Sequence, residues 1–292
     1  MNRRIKEKII EGFFFLNGII VIGILVGIFV ILVRNAWPAF HDVSIGDMIR
    51  WPNWNPDAYT TPTYGVLPML MSTLMVTLGS LAVAVPVGIG AAAYLSDVAS
   101  PRVREIAKPV VEILAGIPSV VLGFLGIVLV GPMICKLTGR YNGLNAVNGS
   151  ILLAVMALPT IISLSEDALG SVPRSYEEAS LALGANKWQT VINVKIPAAA
   201  SGILAACMLG MGRAIGETMT VLMATGNAAE FPGSFLGPVK TMTATIAIEL
   251  GEVAYHTTHY YMLFVVGLML FIITFFINLA ADVFFHKHTR AH

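Results

Sequence analysis

Long runs of apolar residues, separated by short polar segments, dominate this chain. A hydrocarbon core of about 30 Å requires about 20 apolar residues per spanning helix. Six runs approach or meet that length and predict six membrane-spanning helices. Their predicted bounds are Phe13–Val33, Leu67–Leu95, Lys108–Met133, Ile151–Leu164, Ala198–Ala224 and Tyr260–Phe285. Because the fourth has the shortest apolar core, its helix is expected to borrow residues from its flanks.

The composition supports a protein embedded in lipid. Hydrophobic residues make up 56% of the chain and charged residues 12%, against roughly 25% charged in a soluble domain. A net charge of +1 provides no basic face for a nucleic acid. Cys135 and Cys207 lie in or beside apolar runs without a paired spacing, so they do not indicate a redox compartment.

The distribution of cations predicts the orientation. With the N-terminus inside, 12 of the 18 Lys and Arg residues face the cytoplasm, which is the side that short cationic loops prefer. The first apolar run lacks a cleavage signature and is predicted to remain as an anchor. The cytoplasmic set is Arg3, Arg4, Lys6, Lys8, Arg102, Arg104, Lys108, Arg174, Lys187, Lys195, Lys287 and Arg290.

One polar segment, 173–197, has the signals of two short helices with a bend. Pro173 ends the preceding run, and Ser175 with Glu178 has the S-x-x-E spacing of a capping box, which predicts a helix from about Tyr176. Gly184 is predicted to end that helix in a left-handed conformation. Pro197 is predicted to stop any continuation before the fifth span. The alternative interpretation is a solvated connecting loop.

The fifth span contains two charges, Arg213 and Glu217, whose four-residue spacing predicts one helix face. A central Arg costs about 2.5–3.5 kcal/mol to insert, so a partner or a polar pathway must compensate. One interpretation is a structural pair between them. The other is that the guanidinium meets an anion, because its fork suits two oxyanion oxygens, with Glu217 orienting Arg213 or accepting a proton-bearing hydroxyl. Thr218 and Thr220 would then add hydroxyl donors.

Prolines and glycines recur inside the spans and are explained mainly by close helix packing. At Pro118 and Ser119 the alternative is that a carbonyl and a hydroxyl are exposed to a passing substrate.

Two polar segments are predicted to lie outside. Asn35–Tyr64 mixes aromatic residues with prolines and is expected to lie along the outer headgroups, or else to dock an external partner. The segment 225–258 contains a helical stretch, Met242–Leu250, expected to re-enter or cap the pathway. His256 and His259 have the spacing of a metal pair but no evident third ligand, so no metal site is expected. No phosphate-binding G-x-x-x-x-G-K-[ST] run exists, so any ATP-driven engine must be another polypeptide.

The polar segment resembles the cytoplasmic EAA loop of bacterial ABC-importer permeases, in which Glu-Ala-Ala precedes a glycine by three residues and an Ile-x-Leu-Pro motif follows after nine more. The matching positions here are Glu178, Ala179, Gly184 and, at the end, Val194, Ile196 and Pro197, with Ser180, Val194 and Ile196 as mild substitutions. From about residue 70 to 281 the chain resembles the type I ABC permease domain.

Four further stretches are similar to the phosphate-specific transport permeases: AYLS at 93–96, EILAGIPSVV at 112–121, LSEDAL at 164–169 and GRAIGETM at 212–219. Met219 after Gly-Glu-Thr, and AIELGE at 247–252, are similar to the PstC form rather than its PstA sister. The resemblance implies an all-α membrane protein with six transmembrane helices and a cytoplasmic coupling helix. It also implies the bacterial inner membrane, with both termini cytoplasmic.

The resemblance implies a set of partners and a role for each segment. The partners are a PstA-type sister permease, two copies of a PstB-type cytoplasmic ATPase and an external PstS-type phosphate-binding protein, with inorganic phosphate as substrate, lipid as surroundings and no cofactor. Substrate-pathway residues would be Arg213, Glu217, Thr218 and Ser119. Residues coupling the chain to the ATPase would be Glu178, Ala179, Gly184, Trp188 and Pro197.

The expected organisation is an anchor with an external segment over 1–66, a permease domain over 67–285 with its coupling loop at 173–197, and a cytoplasmic tail over 286–292. Alternatives remain open. A permease for sulfate or molybdate would also use Arg213, and the PstA-type subunit would look similar. A secondary transporter or channel should show inverted repeats, of which we see no convincing sign. An intramembrane enzyme would need catalytic groups at depth, and the predicted spans contain no histidine.

Overall fold

The computed structural model describes residues 3–289, which are almost entirely helical. Strands β1 (Trp54–Asn55) and β2 (Thr63–Tyr64) form one small antiparallel pair. The helices are α1 (Arg3–Ala36), α2 (Ala39–Asp42), α3 (Ile45–Arg50), α4 (Leu67–Ala93), α5 (Pro101–Ala115), α6 (Ser119–Leu125), α7 (Gly131–Thr138), α8 (Ala146–Gly170), α9 (Arg174–Ala182), α10 (Lys187–Thr190), α11 (Ile196–Ala198), α12 (Ala200–Gly216), α13 (Met219–Ala224), α14 (Met242–Glu249) and α15 (Thr258–Thr289). Of the predicted cytoplasmic tail, residues 290–292 lie outside the described residues.

Among the described residues, five helical stretches are long and apolar enough to cross a membrane, and a sixth span is bent. The predicted number of six spans agrees with this count. The five stretches are Ile10–Asp42, Leu67–Val98, Ser119–Thr138, Ala146–Gly170 and Thr258–Ala280, and the bent span joins Lys187–Ala198 to Ala200–Gly216 at 74°.

The third and fifth spans were wrongly predicted as continuous helices. The third is broken before Pro118, whose ψ of 136° is extended, so α6 begins anew at Ser119. The fifth bends sharply at Ala199 and ends at Gly216, because Glu217 takes an extended ψ of 135°. The fourth span does extend into its flanks, from Ala146 to Gly170.

Helix α8 is the most buried of the spans and packs between α4 and α12. Ile161 is fully buried at this three-helix contact. A Cβ at Gly88 of α4 would lie 2.6 Å from the Ile161 Cγ2, and one at Gly210 of α12 would lie 2.7 Å from the Ile161 Cγ1. Two glycines on different helices therefore leave the space that one isoleucine fills, as expected for small residues between membrane helices.

Within residues 3–289, three spans or connections contain one turn of π-helix, a feature often found at functional sites. These turns are Tyr94–Val98, Gly126–Val130 and Val191–Lys195. Beside the second, buried Asn148 donates through Nδ2 to the carbonyls of Gly126 (2.9 Å) and Gly143 (3.0 Å). The amide thus satisfies backbone groups where the helix is irregular.

The segment after α1, which is predicted to lie outside, folds as a cap on one end of the spans. Trp54 and Tyr64 face each other across the β1–β2 pair and are buried, with their rings 5.7 Å apart. They belong to a core with Met242 of α14 and Met262 of α15. The aromatic residues of 35–64 were expected to lie along the headgroups. For Trp54 and Tyr64 this expectation is wrong, because both rings pack inside the protein.

Glu249, the last residue of α14, holds this cap together. Its Oε2 accepts hydrogen bonds from Trp54 Nε1 at 2.8 Å and lies 2.8 Å from His259 Nε2, and its Oε1 pairs with Lys240. Burial by itself raises the pKa of Glu249, but the bonds from His259, Lys240 and Trp54 outweigh it and lower that pKa below its ordinary value. His256 lies in a loop with φ of 63°, so the two histidines are not a helical pair.

We expect Glu249→Gln to destabilise the cap near neutral pH but not in acid. A carboxylate with a lowered folded pKa stabilises the protein above its ordinary pKa of 4.5, and that contribution disappears as pH falls through the lower folded value. Losing it at pH 7 should cost about 1–3 kcal/mol. Thermal unfolding of the purified complex, followed by tryptophan fluorescence at pH 7 and in acid, measures this. Exposed Glu252→Gln is the control, and an equal shift in both variants would contradict the assignment.

Candidate functional site

The predicted fifth span is interrupted between the end of α12 at Gly216 and the start of α13 at Met219. The Glu217 side chain folds over this break. Its Oε1 accepts hydrogen bonds from the Thr220 backbone N–H and hydroxyl, both at 3.3 Å. Its backbone carbonyl accepts a bond from the Thr243 hydroxyl of α14 at 2.7 Å. A carboxylate is favourable here because the first N–H groups of α13 lack helical acceptors.

Arg213 lies in the last turn of α12, about 20 Å from the start of that helix at Ala200. Its side chain is exposed on the surface of the single chain. Within residues 3–289 no carboxylate lies within ion-pair distance of its guanidinium. The structural pair between Arg213 and Glu217 is therefore wrong, because the helix breaks before Glu217, whose carboxylate is held by Thr220.

The break in the third span lies against the break in the fifth. The Thr220 hydroxyl is 3.1 Å from the Ser119 carbonyl, and the Pro118 carbonyl accepts from Val121 and Leu122 within α6. The Pro118 carbonyl is thus occupied, which argues against the alternative of a carbonyl left free at Pro118. The Ser119 side chain is only partly buried, and Thr218 donates weakly to the Gly216 carbonyl at 3.4 Å. Of the predicted pathway residues, the structure brings Ser119, Glu217 and Thr218 together around Thr220, with Arg213 one turn earlier.

The polar segment forms a bent pair of short helices, as predicted. Helix α9 ends at Ala182, and Gly184 follows with φ of +88°. The Gly184 N–H donates to the Leu181 carbonyl at 2.9 Å and the Ala185 N–H to the Ser180 carbonyl at 3.2 Å. These two bonds define a Schellman motif, in which glycine takes the left-handed position.

Two details of this segment differ from the prediction. The helix starts at Arg174 after Pro173, and no side chain caps it, so the Ser175–Glu178 capping box is wrong. A capping box exists instead at α10, where Asn186 and Gln189 bond reciprocally at 2.8 and 2.9 Å. Its N-x-x-Q spacing is readable in the sequence. The chain also continues through Pro197 and bends at Ala199.

The polar segment 173–197 is fixed by internal hydrogen bonds, yet it leaves the predicted coupling residues exposed. The Ser180 and Thr190 hydroxyls lie 3.0 Å apart and join α9 to the helix that follows. Ser180, a substitution in the EAA pattern, therefore has a structural reason. The predicted coupling residues Glu178, Ala179, Gly184, Trp188 and Pro197 are all exposed. Exposed apolar side chains also lie beside them: Tyr176, Leu181, Leu183 and Ile192.

Two ionic clusters surround the π-turn that ends α4. Buried Lys195 pairs with Asp97 of that turn and lies 3.8 Å from Glu177 Oε2 of α9. On the other side, Arg104 of α5 donates through Nε to the Leu95 carbonyl at 2.8 Å. Glu166 of α8 lies 3.0 Å from Lys108 Nζ. Sequence reasoning missed these contacts because the partners are far apart in the chain.

The structure combines a bundle of membrane spans, an interrupted helix that carries the cation Arg213 without an ion-pair partner among the described residues, and an exposed bent pair of short helices. Together these features define a membrane permease that a separate protein drives. The chain belongs to the family described as "Binding-protein-dependent transport system inner membrane component", whose pattern matches residues 84–289. It is therefore a multi-pass inner-membrane component. As a member of this family it works with an ATPase and a substrate-binding protein.

Curated relatives cover most of the chain. It is 38% identical over 235 residues to the probable ABC transporter permease protein YqgH of Bacillus subtilis (strain 168), covering 80% of this chain and 76% of that protein. It is 31% identical over 278 residues to the phosphate transport system permease protein PstC of Mesorhizobium japonicum, covering 89% and 84%. PstC 1 of Mycobacterium tuberculosis is 35% identical over 240 residues, covering 75% and 71%.

Solved structures show the same fold. An inward-facing form of the MetNI methionine ABC transporter aligns with a TM-score of 0.56 at 22% identity, over 76% of this chain and 94% of that one. A bacterial alginate ABC transporter aligns with a TM-score of 0.64 at 14% identity, over 96% and 94%. At these identities the likeness concerns the fold alone, and it confirms the expected type I ABC permease architecture.

Proposed function

We propose that this chain is one permease subunit of an ATP-driven phosphate importer and forms the translocation path together with a sister permease. The observation that carries the proposal is Arg213, an unpaired cation on the open face of a membrane helix that breaks one turn later. Charge at this depth is costly unless an anion or a water-filled path compensates it. The relatives named as phosphate permeases support phosphate as that anion.

The pathway has complementary groups for a partly protonated oxyanion. Arg213 offers a planar fork of donors that matches two phosphate oxygens. Glu217 sits at the following break and can accept the proton of a phosphate hydroxyl, while Thr218 and Ser119 add hydroxyl groups beside it. A weak site of this kind suits a permease, because tight binding would prevent release. Selectivity then resides mainly in the external phosphate-binding protein.

In this proposal the ATPase drives transport by binding and moving the bent helix pair α9–α10. Two ATPase copies would each contact one permease at the exposed Glu178, Ala179 and Trp188 of this chain or their counterparts in the sister. Closure of the ATPase pair on ATP would draw the coupling helices together and turn the spans toward the outside; hydrolysis would reset them. The positive-inside distribution of cations supports this loop, and both termini, on the cytoplasmic side.

Transport by the reconstituted four-protein system tests this proposal. Vesicles containing both permeases and the ATPase, supplied with the external binding protein, should accumulate radiolabelled phosphate only when ATP is present on the ATPase side. Unlabelled phosphate should compete, whereas sulfate and molybdate should not. Uptake that persists without nucleotide and ATPase would refute the proposal, and preferential uptake of sulfate or molybdate would assign a different oxyanion.

A further inference from the structure

Lys195 connects three segments that are separate in the sequence. It is the last residue of the π-turn Val191–Lys195 and is only 7% exposed. Its ammonium group pairs with Asp97 at the cytoplasmic end of α4, and it also lies 3.8 Å from Glu177 in the first turn of α9. One buried cation therefore contacts both the coupling segment and a membrane span.

Burying the Lys195–Asp97 ion pair costs free energy, and one carboxylate oxygen of the pair lacks a hydrogen bond. The Asp97 Oδ2 is buried and has no hydrogen-bond partner among the described residues. Such a pair is weak evidence for stability, since well-packed apolar side chains of similar size often stabilise a protein as well or better. A role in fixing position gives it a function that apolar packing lacks, because an ion pair specifies one partner and one register.

The π-turn Tyr94–Val98, which contains Asp97, is also contacted by a residue of α5. Arg104 binds the carbonyls of Leu95 and Ser96 in the same π-turn. Arg104 Nε also lies 4.0 Å from Glu166 of α8. Val191 of the coupling segment also belongs to an apolar cluster with the α4 residues Ala92 and Ala93. The ion pair adds a contact between two particular charged groups, which the apolar cluster does not provide.

We propose that Lys195 is a positioning residue that ties the coupling segment to the end of α4, so that movement of α9–α10 is transmitted to this span. The inference rests on the proposed function, since it assumes that an ATPase moves the coupling segment. Through Glu177, Lys195 also contacts the first turn of α9. Arg104 of α5 in turn links the π-turn after α4 to Glu166 of α8. The sequence pattern of the EAA loop does not include this lysine.

The test measures phosphate transported per ATP hydrolysed in reconstituted vesicles. Lys195→Met and Asp97→Asn should each lower this ratio by about tenfold, the scale of a pairwise interaction between contacting residues. The neutral double variant, which leaves no unpaired buried charge, should unfold within a few degrees of wild type yet keep the low ratio. Lys136→Met, an exposed external lysine, should retain the wild-type ratio.

The possible outcomes distinguish a failure of the positioning role of Lys195 from a failure of the proposed transport function. If wild-type vesicles transport no phosphate, the proposed function fails before any variant is compared. If the wild type transports phosphate and the double variant restores its ratio, Lys195 merely balances charge and the tie is refuted. Loss of the ATPase from variants that keep an intact permease pair would support the tie, because the coupling segment would then be misplaced. Loss of the permease pair itself would assign Lys195 to folding and overturn the inference.

Discussion

Replacing Arg213 by Gln is expected to lower ATP-driven phosphate uptake by about a hundredfold or more, the scale on which losing one charge-assisted contact in a water-poor site acts. The permease should still assemble, because Arg213 makes no ion pair within the described residues and its removal leaves no carboxylate unpaired. The measurements are initial uptake rate and the amount of ATPase that copurifies.

Two further variants make the Arg213 result specific. Arg213→Lys keeps the charge but loses the planar fork, so it should restore uptake only in part. Arg50→Gln is a control with an exposed arginine on helix α3, which is predicted to lie outside, and it should transport like wild type. Wild-type uptake by Arg213→Gln would rule out a role in the anion path. Loss of assembly in that variant would instead assign Arg213 to the contact with the sister permease.

Replacing Gly184 by Val is expected to detach the ATPase or to abolish stimulated turnover, and with it nearly all transport. A Cβ at this position meets no atom within 4 Å, so crowding is not the cause. The cause is the φ of +88°, which costs a residue with a Cβ about 1–2 kcal/mol and a β-branched residue more. The helix end would rearrange and move Trp188 relative to α9.

Gly170 provides a matched control for Gly184. It is exposed, a Cβ there also meets nothing within 4 Å, and its φ lies outside the left-handed region. Gly170→Val should therefore leave ATPase binding unchanged. Gly184→Asn should retain most coupling, because asparagine tolerates the left-handed conformation better than valine. Copurification and stimulated ATP turnover measure both, and normal values for Gly184→Val would reduce Gly184 to a simple connector.

Features encoded by local patterns were predictable from the sequence. The number of spans follows from apolar length, and Gly184 ends α9 as its spacing indicates, since only nearby backbone atoms decide that conformation. The capping box failed because Pro173 starts the helix at Arg174 and places Ser175 inside its first turn. Two local signals predicted different start points for α9, and Pro173 rather than the Ser175–Glu178 spacing determined where the helix begins.

Features that depend on chain breaks or distant partners were not predictable. The spacing of Arg213 and Glu217 predicts one face only for a continuous helix, and the break after Gly216 separates them. The bond from Trp54 to Glu249 spans 195 residues, and that between Lys195 and Asp97 spans 98. Such pairs leave no periodic signal, because each residue read alone resembles an ordinary solvated charge or interfacial aromatic residue.

The interlocking of Ile161 with Gly88 and Gly210 restricts how this permease can move. Its side-chain carbons occupy the positions where side chains of α4 and α12 would otherwise stand, so this close packing opposes sliding of either helix along α8. We therefore expect these three helices to move together. The bending points then lie where the helices are already interrupted: before Pro118, at Ala199 and after Gly216. If the chain transports as proposed, we expect alternating access to be a hinge motion about these breaks.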